Sequence, residues 1–247
     1  MSTTESIEDT RPGPQQGADE PFTLGVDIGG TNVKAMISRE GRRKFSSGPG
    51  LTPRQLHAML EGQLDDWKYD VVSVGFPAPV KNGRILTDPK NLGKGWTRFN
   101  FEKAFGKPVR VINDAAMQAL GGYRGGRMLF IGLGTGFGSA LVWNGVVLPL
   151  ELSELPYLTK GTIEDHVGKT GLKQIGRKNW EEEVERILTQ LQRAFVVDYI
   201  VLGGGNAKLL EHLPPGTELG HNRNAYLGGQ RVWQNNPRTR RAKWTIL

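Results

Sequence analysis

Apolar residues along this chain recur in two rhythms. Phe22 to Asp27 is a β-type run that ends at Gly29 and Gly30, and Val33 to Ser38 resumes it before a polar stretch from Arg39 to Arg43. The pattern predicts a strand, a tight glycine turn, a second strand and a polar turn. Met128 to Gly132 and Gly138 to Trp143 repeat that unit around the loop Leu133 to Phe137, with Asn144-Gly145 as a further hairpin turn. Val71 to Gly75, Val109 to Ile112 and Tyr199 to Leu202 read as short buried strands. Between them the spacing changes. Leu56, Leu60 and Leu64, with Met59 and Trp67, fall on one helical face behind Thr52 and Pro53, a cap residue and a first-turn proline. Trp180, Val184, Ile187, Leu188, Leu191 and Phe195 form a second helical stripe, and Ala115 to Leu120 reads as a helix opening just after Asn113 and Asp114. Alternating strands and helices indicate an α/β protein.

Composition narrows the class. With 247 residues, 37% hydrophobic and 23% charged, the chain suits one or two globular domains. No apolar stretch approaches the roughly 20 residues of a membrane span, and the opening residues lack the basic start and apolar run of a signal peptide. A cytoplasmic protein with no membrane partner is expected. Residues 1–21 set five acids, Glu5, Glu8, Asp9, Asp19 and Glu20, against Arg11 among Pro, Gly, Gln, Ser and Thr, which reads as a disordered leader. Residues 231–247 carry Arg231, Arg238, Arg240, Arg241 and Lys243 with no acid and read as a solvated basic tail able to attract phosphates. The absence of cysteine excludes disulfides, thiolate nucleophiles and cysteine-ligated metal, and the four histidines are scattered without ligand spacing.

Three glycine turns each close a strand: Asp27 to Thr31 (with Gly29 and Gly30), Gly134 to Gly138 (with Thr135 and Gly136), and Gly203-Gly204-Gly205 before Asn206. Glycine there lets backbone N–H groups approach an anion closely. Gly134, Gly136 and Ser139 do not satisfy the dinucleotide fingerprint G-x-G-x-x-G, and no G-x-x-x-x-G-K-[ST] loop occurs. In the first turn a carboxylate, Asp27, can hold Mg²⁺ through water while amides and Thr31 hold phosphate.

Four segments together resemble the ROK family of sugar kinases, nearest its polyphosphate glucokinase branch: LGVDIGGTNVKA (Leu24 to Ala35), INDAAMQALGGY (Ile112 to Tyr123), IGLGTGFGSALV (Ile131 to Val142) and IVLGGGN (Ile200 to Asn206). The resemblance implies an actin-like, ribonuclease H-like fold of two α/β domains with the site in the cleft between them. Residues 22–112 would form the first domain and 113–230 the second. It also implies phosphoryl transfer from ATP or polyphosphate to a hexose, glucose O6 above all, with Mg²⁺. Asp27, Gly29, Gly30, Thr31 and Lys34 would form the first phosphate loop and Gly134, Thr135, Gly136 and Gly138 the second, with Gly203, Gly204 and Gly205 on the nucleotide side. Asp114 would be the base that takes the hydroxyl proton, and Asn113 would hold a neighbouring hydroxyl. A homodimer is implied as well.

The family's sugar clamp, Glu-x-Gly-His, falls on Glu151, Leu152, Ser153 and Glu154, so glycine has become serine and histidine has become glutamate. An imidazole able to donate is replaced by a carboxylate that only accepts. Glu164 matches a further sugar-binding acid. Acids gathered around Asp114, Glu151, Glu154 and Glu164 raise one another's pKa, so one holds its proton or a cation sits among them. The structural zinc common in the family needs cysteines and is not expected; residues 161–168 would occupy that stretch, held by packing alone. Arg124, Arg127, Lys208 or the tail arginines would supply a basic path for polyphosphate. Family repressors carry a DNA-binding module ahead of the kinase-like body, whereas polar residues 1–21 precede Phe22 here, so no sequence-specific DNA binding is expected. The alternatives are a non-catalytic sugar-binding or regulatory relative, or a kinase for another sugar.

Overall fold

A computed structural model describes residues 20–37, 41–221 and 223–247, so nearly all of the expected leader lies outside the described residues. The chain begins as β1 (Thr23–Ile28) and β2 (Asn32–Met36), an antiparallel pair whose register sets Asp27 opposite Lys34. β3 (Arg42–Ser46) continues the meander at the sheet edge. Its residues alternate exposed and half-buried, and Arg42 and Arg43, expected in a turn, are its first two residues. An edge strand keeps a wet face, so its polar sequence hides the strand from a hydrophobicity pattern. Arg43 lies over the Trp67 ring and forks onto Asp66 at 2.6 and 2.8 Å.

α1 (Pro53–Leu60) starts at a complete capping box between Thr52 and Gln55. The helix stops at Leu60, so Leu64 and Trp67 of the predicted stripe pack from the turns that follow. β4 (Val71–Phe76) is buried along its whole length and enters parallel to β1, with Gly75 beside Asp27. A ribbon of β5 (Val80–Lys81) and β6 (Arg84–Ile85) leads through a 3₁₀ turn at Trp96–Arg98 to α2 (Phe101–Phe105) and then β7 (Val109–Asn113), parallel to β4. The first sheet therefore runs β3-β2-β1-β4-β7, and Trp96, Phe99 and Phe101 cluster on its core.

α3 (Asp114–Gly122) follows β7 directly. β8 (Met128–Leu133), β9 (Phe137–Trp143) and β10 (Val146–Leu150) repeat the opening meander. α4 (Ile163–Val167) and the long α5 (Lys169–Phe195), broken at Gly176 (φ 76°), cover the second sheet. β11 (Tyr199–Gly203) pairs parallel with β8, and β12 (Thr217–Leu219) extends that edge. Helix α6 (Asn224–Arg231) lies along α3 and packs also on β1 and β4. There a Cβ on Gly121 would overlap the Asn224 carbonyl, and one on Gly228 would overlap that of Met117.

The basic end is no free tail. Its last residues add β13 (Thr245–Ile246) parallel to β10, so the second sheet runs β12-β11-β8-β9-β10-β13. Val232 is buried, Trp233 stacks on Arg110 at 4.3 Å, and Trp244 meets Tyr123 edge-on at 5.7 Å. Arginine and lysine dominate the count in this segment, yet two tryptophans and Val232 supply the apolar area that anchors it. No helix among the described residues is long and apolar enough to cross a membrane.

Candidate active site

Two turns and a helix start meet where β1, β4 and β7 end. In the first turn the Gly29 N–H donates to the Asn32 carbonyl at 2.9 Å, which closes the hairpin tightly. A Cβ on Gly30 would stand 3.1 Å from the Asn91 Cβ, so Asn91 packs directly on the turn. Lys34, expected on phosphate, extends its ammonium to the Asp27 carboxylate at 3.3 Å. It partly neutralises the acid that it faces across the hairpin.

Asp114 is the first residue of α3. Asn113 caps that helix by accepting from the Ala116 N–H at 3.0 Å, so its Oδ1 is committed and only its amide donor, 3.4 Å from the Ala78 carbonyl, remains adaptable. Gly75 has no side chain, and the Asp114 Cα lies 3.5 Å from where its Cβ would be. That vacancy brings the backbone of Asp114 against the strand position beside Asp27. Burial, reinforced by the negative charge of Asp27 and then of Glu151, pushes the Asp114 carboxyl up to about 7, against the opposing hydrogen bond from the Ala115 N–H at 2.8 Å. A carboxyl so placed gains and loses a proton near neutrality, which suits a general base.

The second turn is built with different means. Gly134 N–H donates to Gly136 O at 3.1 Å, and Thr135 stands exposed at the tip. Glu164 reaches from α4 so that its Oε2 accepts from the Phe137 N–H at 3.1 Å, in the space a Cβ on Gly136 would crowd at 2.5 Å. Gly138 faces the first turn of α3, where a Cβ on it would stand 3.1 Å from the Ala115 Cβ. The third turn locks onto the second. Gly204 adopts φ +83°, where any side chain would overlap the Leu133 carbonyl, and Asn206 Nδ2 donates to Gly134 O at 3.1 Å.

Glu151 follows β10. The buried Ser139 hydroxyl donates to Leu150 O at 2.8 Å and accepts from the Leu152 N–H at 3.2 Å, fixing the backbone on both sides of Glu151. Burial raises the Glu151 carboxyl, neighbouring Glu154 and Glu164 raise it further, and Lys90 opposes them. Lys90 is the cation among these acids. It comes from the loop after β6 in the first sheet's half and holds Glu154 Oε1 at 2.7 Å. The acid group thus holds a raised carboxyl, Glu151, and a lysine side chain. Sequence reading passed over Lys90, Ser139 and Asn91; nothing local separates Lys90 from Lys81 or Lys94, because its partner lies 64 residues away.

The remaining expectations divide. Asp27 with Asp114 nearby fits Mg²⁺ carried mainly by water and donor phosphates; no group of three or more acids and histidines arranged to hold a metal by itself occurs among the described residues. Residues 161–168 are held by more than packing: Thr162 and Asp165 form a capping box, and Trp180 donates to Val167 O at 2.8 Å. Of the basic path expected, Arg124 pairs with Glu218 at 2.6 Å while remaining exposed, and Arg127 stacks on Trp143 at 4.5 Å. Arg231 turns inward to the carbonyls of Leu120 and Tyr123. Lys208 stands exposed beside the third turn, and Arg238, Arg240 and Arg241 are exposed in the end segment.

Comparison with known proteins follows the same outline. The model of the ROK family matches residues 23–149. A glucokinase of Pyrobaculum calidifontis is 29% identical over 131 residues, covering 51% of this chain but only 44% of that relative. A polyphosphate glucokinase of Mycobacterium tuberculosis (strain CDC 1551 / Oshkosh) is 24% identical over 218 residues, 78% of this chain and 80% of the relative. The crystal structure of an inorganic polyphosphate/ATP-glucomannokinase from Arthrobacter sp. strain KM superposes with a TM-score of 0.70 at 22% identity, covering 86% of this chain and 97% of that one. The fold is the actin-like, ribonuclease H-like α/β fold.

Proposed function

The chain belongs to the ROK family, and from that footing we propose that it is a sugar kinase, transferring a phosphoryl group from polyphosphate or ATP to a hexose, glucose at O6 in the first instance. One observation carries the reading: a carboxyl pushed up to about 7 at the start of a helix, between two glycine turns and beside a second acid. A relative named glucokinase and one named polyphosphate glucokinase support the substrate class.

In this mechanism Asp114 accepts the proton of the attacking hydroxyl as its oxygen bonds to the terminal phosphorus. The bond from that phosphorus to the bridging oxygen breaks, leaving ADP or a polyphosphate shortened by one unit. Glu151 and the free oxygen of Glu164 accept hydrogen bonds from other sugar hydroxyls, and the Asn113 amide donates one. Backbone amides of the glycine turns and the Thr31 hydroxyl face the phosphates, where preformed dipoles act without reorganising. Mg²⁺, when bound, neutralises charge on the moving phosphoryl group, with Asp27 as the carboxylate that holds it through water. Lys34 keeps Asp27 in place.

The test is phosphorus NMR of the purified protein with Mg²⁺ and a hexose panel, in parallel with ATP and with polyphosphate, alongside Asp114→Asn. Sugar phosphate formed by the wild type and lost in the variant upholds the kinase and identifies donor and acceptor. If no pair reacts while a hexose still raises the melting temperature, the protein is a sugar binder without turnover.

A further inference from the structure

The acids that line the acceptor side share one chemical deficit. Ionised Glu151, Glu154 and Glu164 accept hydrogen bonds and donate none. A hexose presents hydroxyl and ring oxygens that must also accept, and burying them without a donor is costly. Lys90 meets that need. Its Nζ lies 2.7 Å from Glu154 Oε1 and feels Glu164 and Glu151 as well, so it sits at the same end of the cleft as all three. An ammonium has three N–H donors, of which Glu154 occupies one.

The loop that carries Lys90 is well held. Asp88 Oδ1 accepts from the backbone N–H groups of Gly95 and Trp96 at 3.1 and 2.8 Å, and the Trp96 side chain is buried in the first core. Asn91, the next residue, packs on Gly30 in the first phosphate turn. Lys90 thus joins an anchored loop of one half to Glu154 in the other. As an ion pair alone it contributes little, because the two side chains are 75% and 59% exposed and water screens such pairs. Stability does not account for it.

We propose that Lys90 is a sugar-binding, specificity-determining residue: held by Glu154, its ammonium donates a hydrogen bond to a hexose oxygen beside a clamp whose acids only accept. The inference rests on the sugar-kinase reading and goes beyond it by naming a donor that the altered clamp otherwise lacks. Glu154 then acts as a positioning residue for Lys90. It does not replace the lost imidazole as a ligand.

The experiment compares wild type with Lys90→Met and Lys90→Arg, measuring kcat and KM, and hexose affinity by calorimetry, across glucose and its singly deoxygenated analogues. Lys90→Met is expected to raise KM and Kd for the parent hexose about tenfold with little change in kcat, as for a hydrogen bond from a charged donor. For the one analogue lacking the contacted oxygen, the variant and the wild type should agree, and Lys90→Arg should restore part of the parent affinity. An equal effect on every analogue, or none, overturns the proposal while leaving the kinase reading intact. If the wild type neither binds nor phosphorylates any hexose, both fall together. Because Lys90 is largely exposed, its replacement does not threaten folding.

Discussion

The molecule contains the same hairpin twice, and the two copies acquire their charge by different routes. In β1–β2 the charged groups belong to the hairpin: Asp27 and Lys34 face one another across the ladder at 3.3 Å. In β8–β9 the matching position pairs Gly132 with Gly138, and the polar groups are imported. Glu164 arrives from α4 to hold the Phe137 N–H, and Asn206 arrives from the third turn to hold Gly134. A hairpin that carries its own acid keeps that acid fixed to the strand end, where it acts on Asp114. A hairpin that borrows its polar groups depends on the packing of distant segments, so its geometry follows theirs.

Replacing the group between the hairpins should have the largest effect. Asp114→Asn removes the proton acceptor and should lower kcat by about 10²–10⁴-fold, read by steady-state kinetics. In the wild type, kcat/KM should fall as pH drops below about 7, where Asp114 becomes protonated. The folded state holds this proton more tightly than the unfolded chain, so Asp114 costs stability increasingly as pH rises from the ordinary carboxylate range toward 7. Asp114→Asn should therefore melt above the wild type at pH 8, with the gap closing as pH falls to 4. Adding Asp27→Asn to an otherwise wild-type chain should lower the Asp114 pKa, visible by carboxyl NMR, whereas Glu164→Gln should leave it nearly unmoved.

Breaking the borrowed hairpin needs no change within it. Gly204→Ala, in the third turn, meets both a positive φ and the Leu133 carbonyl and should destabilise by about 2–4 kcal/mol in denaturant unfolding. Glu164→Ala leaves the Phe137 N–H unpaired and should cost about 1–2 kcal/mol, most of it recovered in Glu164→Gln, which keeps an acceptor. Lys34→Met in the self-sufficient hairpin should cost less than about 1 kcal/mol, the ion pair being partly exposed.

The same contrast governs what the sequence reveals. Asp27, Gly29, Gly30, Thr31 and Lys34 sit within a few positions of one another, so their conjunction is readable without a fold, as are Asn113-Asp114 at a strand-to-helix junction. The strand-turn-strand units and the stripes of α1 and α5 were legible because one buried face imposes a period. β3 was not, because an edge strand with a wet face has no apolar rhythm, and neither was the packed end, whose arginines outnumber the tryptophans that anchor it. Lys90, Asn91 and Ser139 became recognisable only when distant segments met: each is an ordinary loop or strand residue until its partner is known.

Helices α3 and α6 touch backbone to backbone through Gly121 and Gly228, with α6 resting on the first sheet and α3 reaching the second. Where side chains interlock, one helix turns against another only by lifting ridges out of grooves. Here backbone meets backbone at Gly121 and Gly228, so the seam itself sets how far apart the two helices stand, and Asp114 opens one of them. A methyl group at either glycine would then be a shim, tilting the halves apart and leaving every residue of the cleft in place but out of reach of the others.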